Sequence, residues 1–90
     1  MALRKQYIPT LIRFDEAGVM TPVFLKPDDR WRRIDQIYEV RRMPFLTGGS
    51  GVRYTIRVGR EIGHIMYDLF TDPLQWFVEV EGEEPKDGAQ

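Results

Sequence analysis

Residues 52–58 read Val-Arg-Tyr-Thr-Ile-Arg-Val, a strict alternation of apolar and polar side chains. A period of two belongs to an extended strand with one face in a core and one in water. Val52, Tyr54, Ile56 and Val58 point one way; Arg53, Thr55 and Arg57 point the other. At 3.6 residues per turn the same four apolar side chains would fall on opposite sides of a helix. Such a strand needs neighbours for its backbone and cover for its apolar face, which directs the chain toward antiparallel sheets. Gly59-Arg60 supplies a tight turn, and residues 61–70 read as the hairpin partner, with Ile65, Tyr67 and Leu69 on one face. Gly63 within that run marks a bend or bulge. Residues 75–81 alternate again, Trp76, Val78 and Val80 against Phe77, Glu79 and Glu81.

The first half of the chain carries weaker signals. Residues 7–14, Tyr-Ile-Pro-Thr-Leu-Ile-Arg-Phe, are rich in strand formers, but Pro9 has no amide to give a ladder, so an edge strand is expected. Asp15 to Gly18 forms a turn, residues 21–26 a second strand, and Pro27-Asp28-Asp29 a break. Residues 30–42 are ambiguous. Trp31, Ile34 and Ile37/Tyr38 have the spacing of a helix face, yet the Trp, Ile, Tyr and Val content favours a strand, and a bulge near Gln36 would bring both apolar sets to one core. We read the segment as a strand, followed by a loop over residues 43–51.

Five or six short strands separated by glycine and proline turns predict an all-β fold. In a chain of 90 residues the expected form is a small antiparallel five- or six-stranded barrel, Src-homology-3-like or a partly open relative, because closure removes exposed edges. Trp31, Tyr54, Ile56, Ile65, Tyr67, Trp76 and Val78 are its expected core. The chain divides into a flexible N-terminus (1–6), a single β domain (7–81) and a disordered acidic tail (82–90), the last lacking apolar residues except Ala89. There is no cysteine, which excludes disulfides and thiolate metal sites and fits a cytoplasmic setting. The basic start is followed by no apolar run, and no apolar stretch is long enough to span a bilayer as a helix, so no membrane association is expected.

Catalytic signals are weak. Ser50 and His64 are the only serine and histidine, and Asp68 or Asp72 would have to orient the histidine. Ser50 lies in a glycine loop rather than on a strand-to-helix elbow, so a loop role is the stronger reading. With one histidine and no cysteine a zinc site would need mostly carboxylate ligands, an unusual set, and no metal is expected. Thr47-Gly48-Gly49-Ser50-Gly51 lacks the lysine and the helix of a phosphate loop, and no cofactor is expected.

Two surfaces stand out. Up to Gly63 the chain carries 12 Lys+Arg against 7 Asp+Glu, and from His64 onward 1 against 7. If residues 30–42 pair with 52–58, Arg41 or Arg42 comes beside Arg53, and Arg57 shares its face. Arginines interleaved with Tyr38, Phe45 and Tyr54 would suit a nucleic acid, although Asp35, Glu39 and Glu61 are close enough to neutralise them. The second surface is the loop tip Met43-Pro44-Phe45-Leu46. Its Met43, Phe45 and Leu46 either form an exposed docking knob or fold back to cap an open barrel end.

The series Arg30-Trp31-Arg32-Arg33-Ile34, Ile37-Tyr38-Glu39-Val40, Arg53-Tyr54-Thr55-Ile56-Arg57, Tyr67-Asp68-Leu69 and Trp76-Phe77-Val78-Glu79 resembles a family of small uncharacterised bacterial β domains. Similar domains are appended to Y-family polymerase-like proteins of mutagenesis cassettes. The resemblance spans roughly residues 20–80. It implies a β fold, a bacterial cytoplasm and a DNA-repair neighbourhood, and brings no catalytic residues. The expected function is a non-enzymatic protein-interaction module with an unidentified protein partner, docking through the Phe45 loop and nearby strand edges. The alternative is a nucleic-acid-binding module using Arg41, Arg42, Arg53 and Arg57.

Overall fold

The computed structural model describes residues 2–82, and the expected acidic tail beyond Gly82 lies outside them. Among the described residues eight strands form: β1 (Leu3–Tyr7), β2 (Thr10–Phe14), β3 (Met20–Leu25), β4 (Arg32–Arg33), β5 (Gln36–Pro44), β6 (Ser50–Val58), β7 (Glu61–Asp68) and β8 (Trp76–Glu81). All pairings are antiparallel, and no helix occurs among the described residues. The strands divide between a five-stranded sheet, β1-β8-β7-β6-β5, and a three-stranded sheet, β2-β3-β4. The domain is therefore small and all-β as expected, but neither sheet closes on itself into a barrel.

The division happens at Ile8-Pro9. The expected continuous strand over residues 7–14 is two strands in different sheets. Ile8 still donates its amide to the Trp76 carbonyl at 2.9 Å, in line with the large sheet. Pro9 has no amide, and its carbonyl instead accepts from Lys26 at 3.0 Å, in the small sheet. By the alternation of the β1–β8 ladder the backbone groups of residue 9 face away from β8, and it is there that the chain passes from the large sheet to the small one. The N-terminus is likewise not loose over its expected length: Leu3 to Gln6 pair with Glu81 to Val78.

The most regular segment is the predicted hairpin. Val52, Tyr54, Ile56 and Val58 share one face of β6, with Ile65 and Tyr67 of β7 and Trp76 and Val78 of β8 beside them. The small sheet covers this face. Ile8, Leu25, Val52, Tyr54, Ile56, Ile65, Tyr67 and Trp76 are buried as one cluster, with Ile12, Met20, Ile34 and Ile37 packed against it. Each buried aliphatic or aromatic side chain of this kind contributes roughly 1.5–3 kcal/mol relative to its exposed state. The Tyr54 hydroxyl crosses between the sheets to donate to the Met20 carbonyl at 2.8 Å. The ladder runs through Gly63, opposite Ile56, without the expected bulge.

Residues 30–42 form no helix. The two-residue β4 and the nine-residue β5 occupy the segment, with a register shift between Ile37 and Glu39, close to the bulge expected at Gln36. Trp31 is the exception in the expected core. It lies just before β4, is 45% exposed, and sits under the Lys26 ammonium, 5.8 Å from its ring centroid. Turn chemistry follows the sequence: Asp15 Oδ1 accepts from the amides of Ala17 and Val19, both at 2.9 Å, and Gly18 adopts φ 82°.

Candidate interaction surfaces

The register of the β5–β6 ladder decides where the candidate residues go. Arg41 lies opposite Arg53, Val40 opposite Tyr54, and Arg42 opposite Val52. Arg41, Arg53 and Arg57 therefore share the face turned away from the small sheet, while Arg42 points to the other. The four arginines do not form one face. The nearby carboxylates take up part of their charge: Arg53 Nη2 is 3.8 Å from Glu39 Oε1, and Arg57 Nη1 is 3.8 Å from Asp35 Oδ2. The Gly59 amide, followed by the Arg33 side chain, holds the Asp35 carboxyl below its ordinary range. Glu61, also expected to neutralise the arginines, makes no ion pair with a described residue.

Arg41 directly opposite Arg53 sets like charges side by side, which is unfavourable in an antiparallel pair. Arg41 has no carboxylate within ion-pair distance among the described residues, and the single Glu39 serves Arg53. His64, opposite Thr55 on the same face, is held below the usual imidazole range first by burial and then by the Arg53 charge.

The loop tip folds back. Phe45 is only 6% exposed and meets the Phe77 ring edge-on at 5.1 Å, with Met66 beside them and Met43 packed on the cluster. The Lys5 ammonium lies 5.0 Å from the Phe77 centroid and donates to the Gly48 carbonyl at 2.9 Å. Thr47 fastens the loop through its amide and hydroxyl, both bonded to Glu79 Oε2 at 2.9 and 2.8 Å. Phe45 and Met43 thus belong to a second small core, and only Leu46, 82% exposed, matches the expected knob. Alternation along β5 could not show this, because Phe45 lies past the strand's end.

The Ser50–His64 pairing does not form. Ser50 lies at the start of β6, near Asp68, whereas His64 is opposite Thr55. Five residues of strand separate the two positions, roughly 16 Å at 3.3 Å per residue. Asp68 is engaged elsewhere, accepting the Phe70 amide at 2.8 Å and lying 3.8 Å from Lys5 Nζ. The glycine loop is the β5–β6 hairpin turn, closed by Gly48 donating to the Phe45 carbonyl and the Gly49 carbonyl accepting from the Phe45 amide. Among the described residues no group of three or more His, Asp or Glu is arranged to hold a metal ion.

Two features were not singled out from the sequence. One is a groove of about 780 Å³ between the sheets, floored by Leu25, Ile56, Val58, Val78 and Val80 and bordered by the Asp28–Arg32 ion pair at 2.8 Å. The other is the outer edge of β5. Phe45 N donates to Gly49 O and Asp35 N to Arg57 O, while Ser50 O accepts from Leu69 on the β7 side. With the alternation of an antiparallel ladder, these bonds turn the backbone groups of Glu39, Arg41 and Met43 inward to β6 and those of Val40 and Arg42 outward. No described strand pairs with them. Tyr38 and Val40, on this edge, are 53% and 57% exposed.

No protein-family model, no curated protein and no solved structure matches the chain.

Proposed function

We propose that this domain is a non-enzymatic protein-interaction module whose working surface is the free edge of β5. One observation carries the reading: a nine-residue strand at the margin of the large sheet presents unpaired amides and carbonyls beside exposed Tyr38 and Val40. Such an edge accepts an added strand, whose main chain provides affinity and whose side chains provide selectivity. The buried Phe45 contributes to the scaffold rather than to docking.

Val40→Pro tests this. The Val40 amide faces outward, so proline there removes a donor from the free edge while the β5–β6 ladder keeps its bonds. The immobilised wild-type domain is expected to retain a protein from a lysate of its source cells that the folded Val40→Pro variant does not. Equal retention by both would contradict an edge-directed interaction.

The opposed Arg41 and Arg53 favour a second reading, a nucleic-acid-binding module. A fluorescent single-stranded oligonucleotide would then bind at low salt, weaken steeply as salt rises, and be lost in the Arg53→Glu/Arg57→Glu variant. The carboxylates of Glu39 and Asp35 beside these arginines are the reason it ranks second.

A further inference from the structure

The free edge of β5 is complementary to itself. Val40 lies at its centre, flanked by Glu39 and Arg41. Two such edges placed antiparallel about a twofold axis at Val40 bring the two Val40 residues opposite one another. Their outward amide and carbonyl groups are then positioned to exchange both hydrogen bonds, as a hydrogen-bonded pair does. The next positions on each side set Glu39 of one copy opposite Arg41 of the other. That is a non-hydrogen-bonded pair, the kind in which facing side chains approach most closely.

We propose that β5 pairs with β5 of a second copy of this chain in this register, joining two five-stranded sheets into one of ten. The inference rests on the reading of β5 as the working edge and names its partner. Two further observations support a second copy. Arg41 faces Arg53 within one chain with no carboxylate within ion-pair distance among the described residues, and the twofold arrangement supplies one, Glu39 of the other copy. Val40, more than half exposed in the single chain, meets its equivalent across the axis.

The pattern also selects against other registers. Centring the pair on residue 39 would oppose glutamate to glutamate, and centring it on residue 41 would oppose arginine to arginine. The irregularity at Tyr38 limits the regular run on one side, so the association is short and concentration-dependent. An isologous contact of this type closes on itself at two copies, which separates it from open-ended edge aggregation.

Sedimentation velocity over a concentration series tests the proposal, with circular dichroism to confirm that each variant is folded. The wild-type chain is expected to pass from monomer to dimer. Glu39→Arg and Arg41→Glu each replace two opposite-charge pairs with two like-charge pairs, and each should weaken association by about tenfold or more. An equimolar mixture of the two restores both opposite-charge pairs in a mixed dimer and should recover association. Val40→Pro is the independent variant and should remain monomeric. A wild-type chain that stays monomeric up to about 1 mM overturns the proposal. So does a mixture of folded variants that fails to associate, or a Val40→Pro chain that dimerises like the wild type. If the wild type stays monomeric while Val40→Pro abolishes capture of a cellular protein, the second copy is ruled out and the edge reading stands. If Val40→Pro changes neither dimerisation nor capture, both fall.

Discussion

Truncating two isoleucines in adjacent strands should have unequal costs. Ile56 and Ile65 are both core residues, 5% and 0% exposed. Their surroundings differ. Ile56 is opposite Gly63, whose missing side chain leaves open space, and it floors the groove between the sheets. Ile56→Ala removes three carbons' worth of transfer energy, about 2–2.5 kcal/mol at 0.8 kcal/mol per methylene, and the space joins a groove that water already reaches. Ile65 is opposite Tyr54 and fully enclosed. Its truncation leaves a closed void, and the cavity adds to the transfer cost, giving about 3.5–5 kcal/mol. Urea denaturation followed by circular dichroism measures both, with equal slopes required for the comparison. Ile56→Ala should lower the melting temperature by roughly 10–20 °C and Ile65→Ala by clearly more. An Ile56→Ala variant as destabilised as Ile65→Ala would show that the groove is closed in solution and that the packing described for it is wrong.

Phe45→Ser should destabilise the domain by about 3–5 kcal/mol, whereas Leu46→Ser should leave the urea midpoint nearly unchanged; equal small effects would mean that Phe45 is not packed on Phe77. Gly51→Ala should be strongly destabilising in the same assay, because a side chain there collides with the Tyr67 carbonyl across the β6–β7 ladder. Burial pushes the Tyr54 phenol up to about 12 from its ordinary 10. The folded state therefore holds that proton more tightly: the associated stability is complete below pH 10 and lost as pH rises toward 12, and Tyr54→Phe should flatten this part of a denaturation-against-pH curve. The Asp35 carboxyl is shifted the other way by the Gly59 amide, so its contribution is present above its unfolded value near 4 and lost as pH falls through the lower folded value. Asp35→Asn should shrink the acid limb of the same curve.

The legible parts of the fold were those where one strand's pattern is self-sufficient. Val52 to Val58 announces its two faces whatever it pairs with, and most of the core followed from it. The sequence allowed residues 30–42 to pair with 52–58 but left open whether Arg41 or Arg42 comes beside Arg53, because the shift between Ile37 and Glu39 sets the register. β1 was not, because Leu-Arg-Lys-Gln-Tyr has no apolar period and becomes a strand only through β8, at the far end of the chain. The division into two sheets falls at Ile8-Pro9, where Ile8 bonds to Trp76 in one sheet and Pro9 to Lys26 in the other, a tertiary arrangement that no local pattern displays. Trp31 was misplaced because a bulge was expected to bring both apolar sets of residues 30–42 to one core, whereas its ring lies at the surface beneath the Lys26 ammonium. The free edge of β5 was invisible for a more general reason: an edge is defined by the strand that is not beside it, and that is a property of topology.

Amide hydrogen exchange at Val40, followed by NMR at increasing protein concentration, tests the β5 edge most directly. The Glu39 and Arg41 amides, bonded inward to β6, should exchange slowly throughout. The Val40 amide should exchange rapidly in dilute solution and become protected as copies associate. A Val40 amide already protected in dilute solution, or one that stays unprotected when the protein is concentrated, would contradict the account.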